Sequence, residues 1–240
     1  MANIRNQFGQ VEQEFETVAV AKTFHSGVFM WMFLALGITA ATAYLVATTD
    51  TLLDLLRNEN GMTILGWVVL FAPLGLVLLM SARFQKMSAS TMVLLFVLYS
   101  LLMGASLSFV FSVYSDASIA TTFVITSGMF GVMAVVGYTT KTDLTKFGSI
   151  MFMGLIGIII ASVVNMFLRS GTMDYIISFI GVLVFTGLTA YDVQKLKRIG
   201  AGIGQESEAA RKLTIMGALT LYLDFINLFL FLLRFFGNRR

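Results

Sequence analysis

Seven apolar runs, each about 20 residues long, dominate this 240-residue chain. An α-helix of about 20 residues crosses a hydrocarbon core of about 30 Å. A helix also pairs its own backbone polar groups, which lipid cannot do. The sequence therefore predicts an all-α, polytopic membrane protein with spans at residues 28–48, 62–80, 92–113, 121–139, 147–168, 175–196 and 213–235.

The composition excludes several other classes of protein. Charged residues make up 12% of the chain and the mean hydropathy is +0.86, whereas a soluble domain carries about 25% charged residues. There is no cysteine, and His25 is the single histidine, which argues against a disulfide framework and a zinc cluster. The modest net charge of +3 gives no reason to expect a nucleic-acid partner, and no cofactor is expected.

The distribution of basic residues predicts the orientation. Eleven Lys and Arg residues fall in the N-terminal segment and the even-numbered loops, and five fall on the other side. Cytoplasmic loops are enriched in Lys and Arg. The N-terminus is therefore expected in the cytoplasm and the C-terminus outside. The breaks between spans are short, so no second domain is expected.

The first 26 residues precede the spans and have a helical period of their own. Acidic residues lie away from the centre of the apolar face, which is formed by Ile4, Phe8, Val11, Phe15 and Val18. We expect a cytoplasmic amphipathic segment over residues 1–26, a transmembrane domain over 27–236 and a short tail over 237–240. The segment either lies at the membrane interface or docks on a partner membrane protein or on the chain's own loops.

Small residues mark where the spans approach each other closely, because helices in lipid associate through such positions. Two packing seams are predicted: Ser100, Gly104 and Ser108 in the third span, and Gly154, Gly157, Ala161 and Asn165 in the fifth. The only proline, Pro73, falls midway along the second span, where it either kinks the helix or forms a hinge.

Two aspartates, Asp192 and Asp224, lie within the sixth and seventh spans. A charged side chain at bilayer depth costs at least about 3 kcal/mol, so such residues face a protein interior or a wet cavity and indicate an ion or proton site. Asp224 shares one helical face with Gly217, Thr220 and Asn227, which predicts a last helix surrounded by the others.

Counted in residues along their spans, the two aspartates lie at different depths in the membrane. Asp192 lies only three residues before Lys195, whereas Asp224 is about halfway along its span. The two carboxyl groups can meet if the sixth helix continues past Arg198, with its basic side chains extending toward water. We therefore expect a helix longer than its apolar run.

Other interpretations of these residues exist. Asp192 could pair with a nearby basic residue, and Asp224 with Asn227 or Arg234, to fix helix register alone. Arg234 is most simply an anchor at the membrane interface. Paired aspartates can also act as acid and base in hydrolysis. The chain has no clear Ser-His arrangement, however, and no lysine inside the last span that could bind retinal, so no enzymatic activity is expected.

Three segments carry a resemblance to a known family. The stretch LTLYLDFINLFLFLLRFF at 219–236 closely resembles the last helix of the Bax inhibitor-1 family. LTAYDVQKLK at 188–197 is similar to the family's other aspartate-bearing segment, and GYTTKTDL at 137–144 to its fourth-to-fifth connection. With the spans, the resemblance covers about residues 25–236. Within the family the chain resembles a bacterial member, which implies the bacterial inner (plasma) membrane.

The resemblance implies a fold in which a central C-terminal helix is wrapped by two layers of three helices. It also implies a pH-sensitive leak that conducts calcium down its gradient. The family's pore aspartates carry over to Asp192 and Asp224. In the family, an arginine at the cytoplasmic end of the second span binds the aspartate pair in the closed state and acts as a latch. The resemblance assigns this role to Arg83, or alternatively to Lys86, within MSARFQKMS at 80–88.

Two neighbouring carboxylates at low dielectric tend to share one proton, which makes the pair a proton switch. Once the proton and the latch leave, the pair can hold a cation. Calcium prefers six to eight oxygen ligands, and Asn227, Thr220, backbone carbonyls and water could complete a weak site. The alternative function is a regulator that binds a membrane protease or another membrane protein and conducts nothing. The acidic N-terminal segment would serve that role.

The predicted orientation can be tested with reporter fusions. A reporter before Met1 should report from the cytoplasm, and one after Arg240 from outside, because of the asymmetry in basic residues. Cytoplasmic signals from both ends would contradict seven complete spans and would make one segment re-entrant.

Overall fold

The seven predicted spans are seven long, apolar helices in the computed structural model, which describes residues 2–59, 61–205 and 207–238, with side chains from residue 20 onward. Their number agrees with the sequence prediction, and most ends differ by a few residues. In chain order the elements are α1 (Ala2–Thr48), α2 (Asp50–Leu56), β1 (Arg57–Asn58), β2 (Gly61–Met62), α3 (Ile64–Ala82), α4 (Ala89–Val113), α5 (Asp116–Thr139), α6 (Thr145–Leu168), α7 (Gly171–Ala201) and α8 (Glu208–Phe236).

The N-terminal segment is continuous with the first span. α1 runs from Ala2 to Thr48 without a break at residue 26, and its part at Val20–Thr48 is long and apolar enough to cross a membrane. The predicted apolar face at positions 4–18 lies outside the described side chains. Between α1 and α3, the first loop forms the short helix α2 and two antiparallel strands, β1 and β2, of two residues each. Neither feature was predicted from the sequence.

Hydroxyl side chains fix where five helices begin. A Ser or Thr at the N-cap accepts a hydrogen bond from a backbone N–H of the first turn, which satisfies a donor that the helix itself cannot pair. These caps are Thr63, Ser88, Ser115, Ser170 and Ser207. The boundaries of α3, α4, α5, α7 and α8 are therefore set locally by the sequence.

The last helix lies at the centre of the bundle, as its polar face predicts. α8 packs against α1, α4, α5 and α7, and most of its residues are buried. α3 packs on α4, and α6 packs on α7, so these two helices lie farther out. The core is densest around Tyr99 and Tyr222, whose rings pack edge to face with centroids 5.4 Å apart.

Buried hydrogen bonds tie the central helix to its neighbours. The Thr39 hydroxyl of α1 contacts the Tyr222 hydroxyl of α8 at 2.7 Å and donates to the Ser100 carbonyl of α4 at 3.0 Å. Interhelical bonds of this kind contribute about 0.6–2 kcal/mol each in membranes. They stabilise the α1–α4–α8 contact where apolar burial gives little advantage over lipid.

One packing seam is confirmed and the other only in part. Ser100, Gly104 and Ser108 are buried, and a Cβ at Gly104 would lie 2.6 Å from the Thr39 carbonyl oxygen. In α6, Gly154 closely approaches α7, whereas Gly157 has nothing within 4 Å. The prediction for Gly157 was wrong, because α6 contacts α7 along a narrower stripe than the spacing of its small residues indicates.

The glycines of α5 offer a matched test of this packing. A Cβ at Gly137 would lie 2.2 Å from the Ala190 carbonyl oxygen of α7, whereas a Cβ at Gly131 meets nothing within 4 Å. Gly137→Ala should therefore lower the free energy of unfolding by about 1–3 kcal/mol through overpacking.

Thermal unfolding in detergent measures both variants. Gly131→Ala should be neutral or stabilising by up to about 1 kcal/mol, since alanine favours helix more than glycine does. Equal midpoints for the two variants would contradict the close α5–α7 contact.

Candidate functional site

The two aspartates meet at the interface of α7 and α8. Asp192 is 9% exposed and Asp224 is 4% exposed. They lie on two helices that pack against each other, and their carboxyl groups are close enough to act on each other electrostatically. Asp224 Oδ2 has no hydrogen-bond donor among the described residues. α7 continues to Ala201, beyond Arg198, as the meeting of the two groups requires.

A groove between α6, α7 and α8 gives access to the pair. α6 packs along α7 and has at most sparse contact with α8, which leaves a space of about 1020 Å³. Both aspartates line this space. Phe152 and Ile159 of α6 also line it and are more than half exposed, so the groove opens at the side of the bundle. We call it the lateral groove.

The predicted additional ligands lie in the same groove. Thr220 and Asn227 both line it, within one turn of Asp224 on α8. Each donates a hydrogen bond to its own helix: the Thr220 hydroxyl to Met216 O at 3.0 Å and Asn227 Nδ2 to Leu223 O at 2.8 Å. These bonds use the Thr220 donor and one of the two Asn227 donors and leave both side-chain oxygens as acceptors. With the Tyr191 hydroxyl, the groove therefore gathers five oxygen-bearing side chains from α7 and α8.

Several polar residues of the groove were not predicted as site residues, among them Lys195, Ser149 and Ser162. Lys195 lies one turn after Asp192, close enough for its charge to act on that carboxylate, and 6.0 Å from the centroid of the Tyr191 ring. Its spacing from Asp192 could have indicated the shared face. Ser149 and Ser162 of α6 add two hydroxyls. No local signal marks them, because their role depends on where α6 lies relative to α8.

The predicted latch residues lie elsewhere in this conformation. Arg83 ends α3 and Lys86 follows in the loop; both side chains are exposed and neither lines the lateral groove. Lys212 of α8 anchors that loop by donating to Phe84 O at 3.2 Å. The latch role of Arg83 or Lys86 stays a prediction.

At the opposite end of α8, Arg234 pairs with Asp174 of α7 at 3.4 Å, with both side chains partly exposed. Neither Arg234 nor Asn227 therefore pairs with Asp224 in the part of the chain that the structure describes. The interpretation of Arg234 as an anchor near the membrane interface fits this position.

The loop between α5 and α6 clamps the end of α7 that carries Asp192. Gln194 accepts from Leu144 N at 2.9 Å and donates to Thr142 O at 2.8 Å, and its side chain is buried. Arg198 bonds Asp143 at 2.7 Å. Hydrogen bonds from Thr145 and Arg198 hold the pKa of the Asp143 carboxyl well below its usual range. The segment at 137–144 thus fixes the helix turn next to the aspartate pair.

These features define a class: a seven-helix membrane protein with a buried aspartate on its central, C-terminal helix and a second aspartate beside it. The sequence comparisons identify the family. Residues 21–240 match the family described as "Inhibitor of apoptosis-promoting Bax1". The chain belongs to the Bax inhibitor-1 family, a family of membrane proteins.

Several bacterial proteins are among its relatives. The chain is 50% identical to the inner membrane protein YbhL of Escherichia coli over 220 residues, 91% of this chain and 93% of the relative. It is 44% identical to an uncharacterized protein of Borreliella burgdorferi, covering 95% of this chain and 97% of the relative. An uncharacterized protein of Deinococcus radiodurans matches over both full lengths at 37% identity. The membrane localisation agrees with the seven apolar helices.

The clamp on α7 can be tested at Gln194. Gln194→Ala leaves the backbone groups of Thr142 and Leu144 without their side-chain partner, so the free energy of unfolding should fall by about 1–3 kcal/mol. Denaturation in detergent measures the change. Gln205→Ala, at an exposed loop position, is the control and should change stability by less than about 0.5 kcal/mol. An unchanged Gln194→Ala variant would contradict the clamp.

Proposed function

We propose that this protein is a pH-sensitive cation leak channel that passes calcium and is controlled by the pair Asp192 and Asp224. The observation that carries the proposal is the contact of two buried carboxyl groups at the wall of an open groove. A carboxyl pair inside a membrane is costly and is found chiefly where ions or protons move. The proposal describes a conducting protein and not an enzyme.

The chemistry of the groove suits a hard cation that is held weakly. Two carboxylates, the acceptor oxygens of Thr220 and Asn227, backbone carbonyls and water can approach the six to eight oxygens that calcium prefers. Only the two carboxylates carry negative charge among the residues that line the groove, and Lys195 opposes them. A site with one net negative charge holds a divalent ion loosely, which permits release.

The proton sensitivity follows from the same contact. Two carboxylates this close do not both ionise easily, so the pair keeps one proton at lower pH. A shared proton neutralises one charge and occupies oxygens that the ion needs. Cation flux should therefore be low while the proton is held and should rise as the pH increases and the proton leaves.

Calcium flux into liposomes containing the purified protein tests this proposal. Asp192→Asn and Asp224→Asn should each lower the flux by about tenfold or more, since losing one charged ligand costs about 1.5–3 kcal/mol. Each change should also flatten the pH dependence. The double variant should be little worse than either single variant, because one substitution already removes the shared proton.

Asp174→Asn is the matched control, because Asp174 is an aspartate of the same helix whose partner is Arg234 and which does not line the groove. It should conduct as the unaltered protein does. If the folded Asp192 and Asp224 variants retain both the flux and its pH profile, the pair is structural and the leak assignment fails. Arg83→Ala tests the latch: a more open pore at neutral pH is the result expected of a counter-charge that closes it.

A further inference from the structure

The walls of the lateral groove are more apolar than a pathway for hydrated ions requires. Away from the aspartates, its surface consists largely of apolar side chains, among them Phe152, Ile159 and Val163 of α6 and Phe231 of α8. The three α6 side chains are more than half exposed at the side of the bundle. At this position in a membrane, the groove is in contact with the alkyl chains of the bilayer.

An alkyl chain alone would gain little by entering the groove. Lipid tails are as apolar as the groove walls, so moving a chain from the bilayer into the groove gives no hydrophobic advantage. Any preference for a particular occupant must therefore come from polar groups. The groove has hydroxyl and amide groups at several places, but its charged groups are Asp192, Asp224 and Lys195 alone among the described residues that line it.

The charges of the groove select the sign of the head group. Asp224 is 4% exposed, and its Oδ2 has no hydrogen-bond donor among the described residues. The residues lining the groove carry two acidic groups, Asp192 and Asp224, and one basic group, Lys195. Once the shared proton has left and both aspartates are ionised, Lys195 balances one of them and one negative charge remains uncompensated. A head group with one positive charge and several N–H donors would neutralise it and supply the missing donor.

We propose that the lateral groove binds a single-chain membrane amphiphile with a primary ammonium head. The head donates to Asp224 and Asp192, and the chain lies between α6 and α8. Bound in this way, the amphiphile occupies the oxygens that a permeant cation needs and blocks the leak. The blocking effect rests on the proposed channel function, whereas binding itself does not.

Binding can be measured without reference to conductance. The protein is placed in bilayer nanodiscs with a spin-labelled long-chain primary alkylamine, and the immobilised fraction is followed by electron paramagnetic resonance as unlabelled dodecylamine competes. A fatty acid with the same spin-labelled chain reports what the apolar walls bind by themselves. The amine should bind at least about tenfold more tightly than the acid, because only the amine gains charge-assisted bonds.

Two kinds of variant separate the head contact from the chain contact. Asp224→Asn should weaken amine binding about tenfold and leave the fatty acid unchanged. Ser162→Trp fills the groove from α6 and should abolish amine binding. Ile160→Trp places the same bulk on a residue of α6 that is 59% exposed and does not line the groove, so it should bind as the unaltered protein does.

The proposal is overturned if the fatty acid binds as tightly as the amine, or if Asp224→Asn leaves amine binding unchanged. Equal binding by the two tryptophan variants would also overturn it. Melting curves of each variant in the same nanodiscs identify any that fail to fold, and Asp192→Asn then serves in place of Asp224→Asn.

Calcium flux measured with and without dodecylamine separates this inference from the proposed function. Flux that depends on the aspartates but is insensitive to the amine overturns the block and leaves the channel proposal standing. If the protein binds the amine in an Asp224-dependent way but shows no calcium flux, the binding proposal is supported and the channel proposal is rejected.

Discussion

The contact between two carboxyl groups inside a membrane-spanning bundle constrains the rest of the structure. Lipid cannot solvate Asp192 or Asp224, so both must be enclosed by protein. The enclosure is achieved by placing the helix that carries Asp224 at the centre, with α1, α4, α5 and α7 around it. The position of α8 is therefore a consequence of its polar face as much as of its apolar ones.

Polar contacts also replace the hydrophobic drive that soluble bundles use. In the membrane-spanning region, Thr39 joins α1 to α4 and α8 through two short hydrogen bonds. At the end of α7, Gln194 and Arg198 hold the loop between α5 and α6. The first set fixes α8 against α1 and α4, and the second fixes the end of α7 against the loop before α6, so each of the two helices that carry an aspartate is held by polar contacts.

The outer helix α6 is held differently, and this difference produces the lateral groove. α6 contacts α7 but scarcely α8, so the site is closely packed on the α7–α8 side and open on the other. A rigid pair of ligands beside an open wall allows a cation, or a charged head group, to reach the carboxylates without unpacking the core. The functions proposed for the groove both depend on this asymmetry.

The sequence by itself determined the number of spans, the caps that begin five helices, and the residues that carry charge into the membrane. These follow from local rules: the thickness of the bilayer, the unpaired donors of a helix end and the cost of a buried charge. The central position of α8 was also predictable, because its polar face had to avoid lipid. The family followed from the motifs around Asp192 and Asp224.

Only the tertiary structure decided which groups meet those aspartates. Ser149 and Ser162 enter the groove because of the position of α6, and Gly157 turns away from it for the same reason. Arg83 lies outside the groove, whereas Lys195 lies within it. Contacts between helices that are distant in the chain depend on how far apart and at what rotation the helices pack. In lipid, small residues and a few hydrogen bonds set that geometry, and no periodicity within a single helix encodes it.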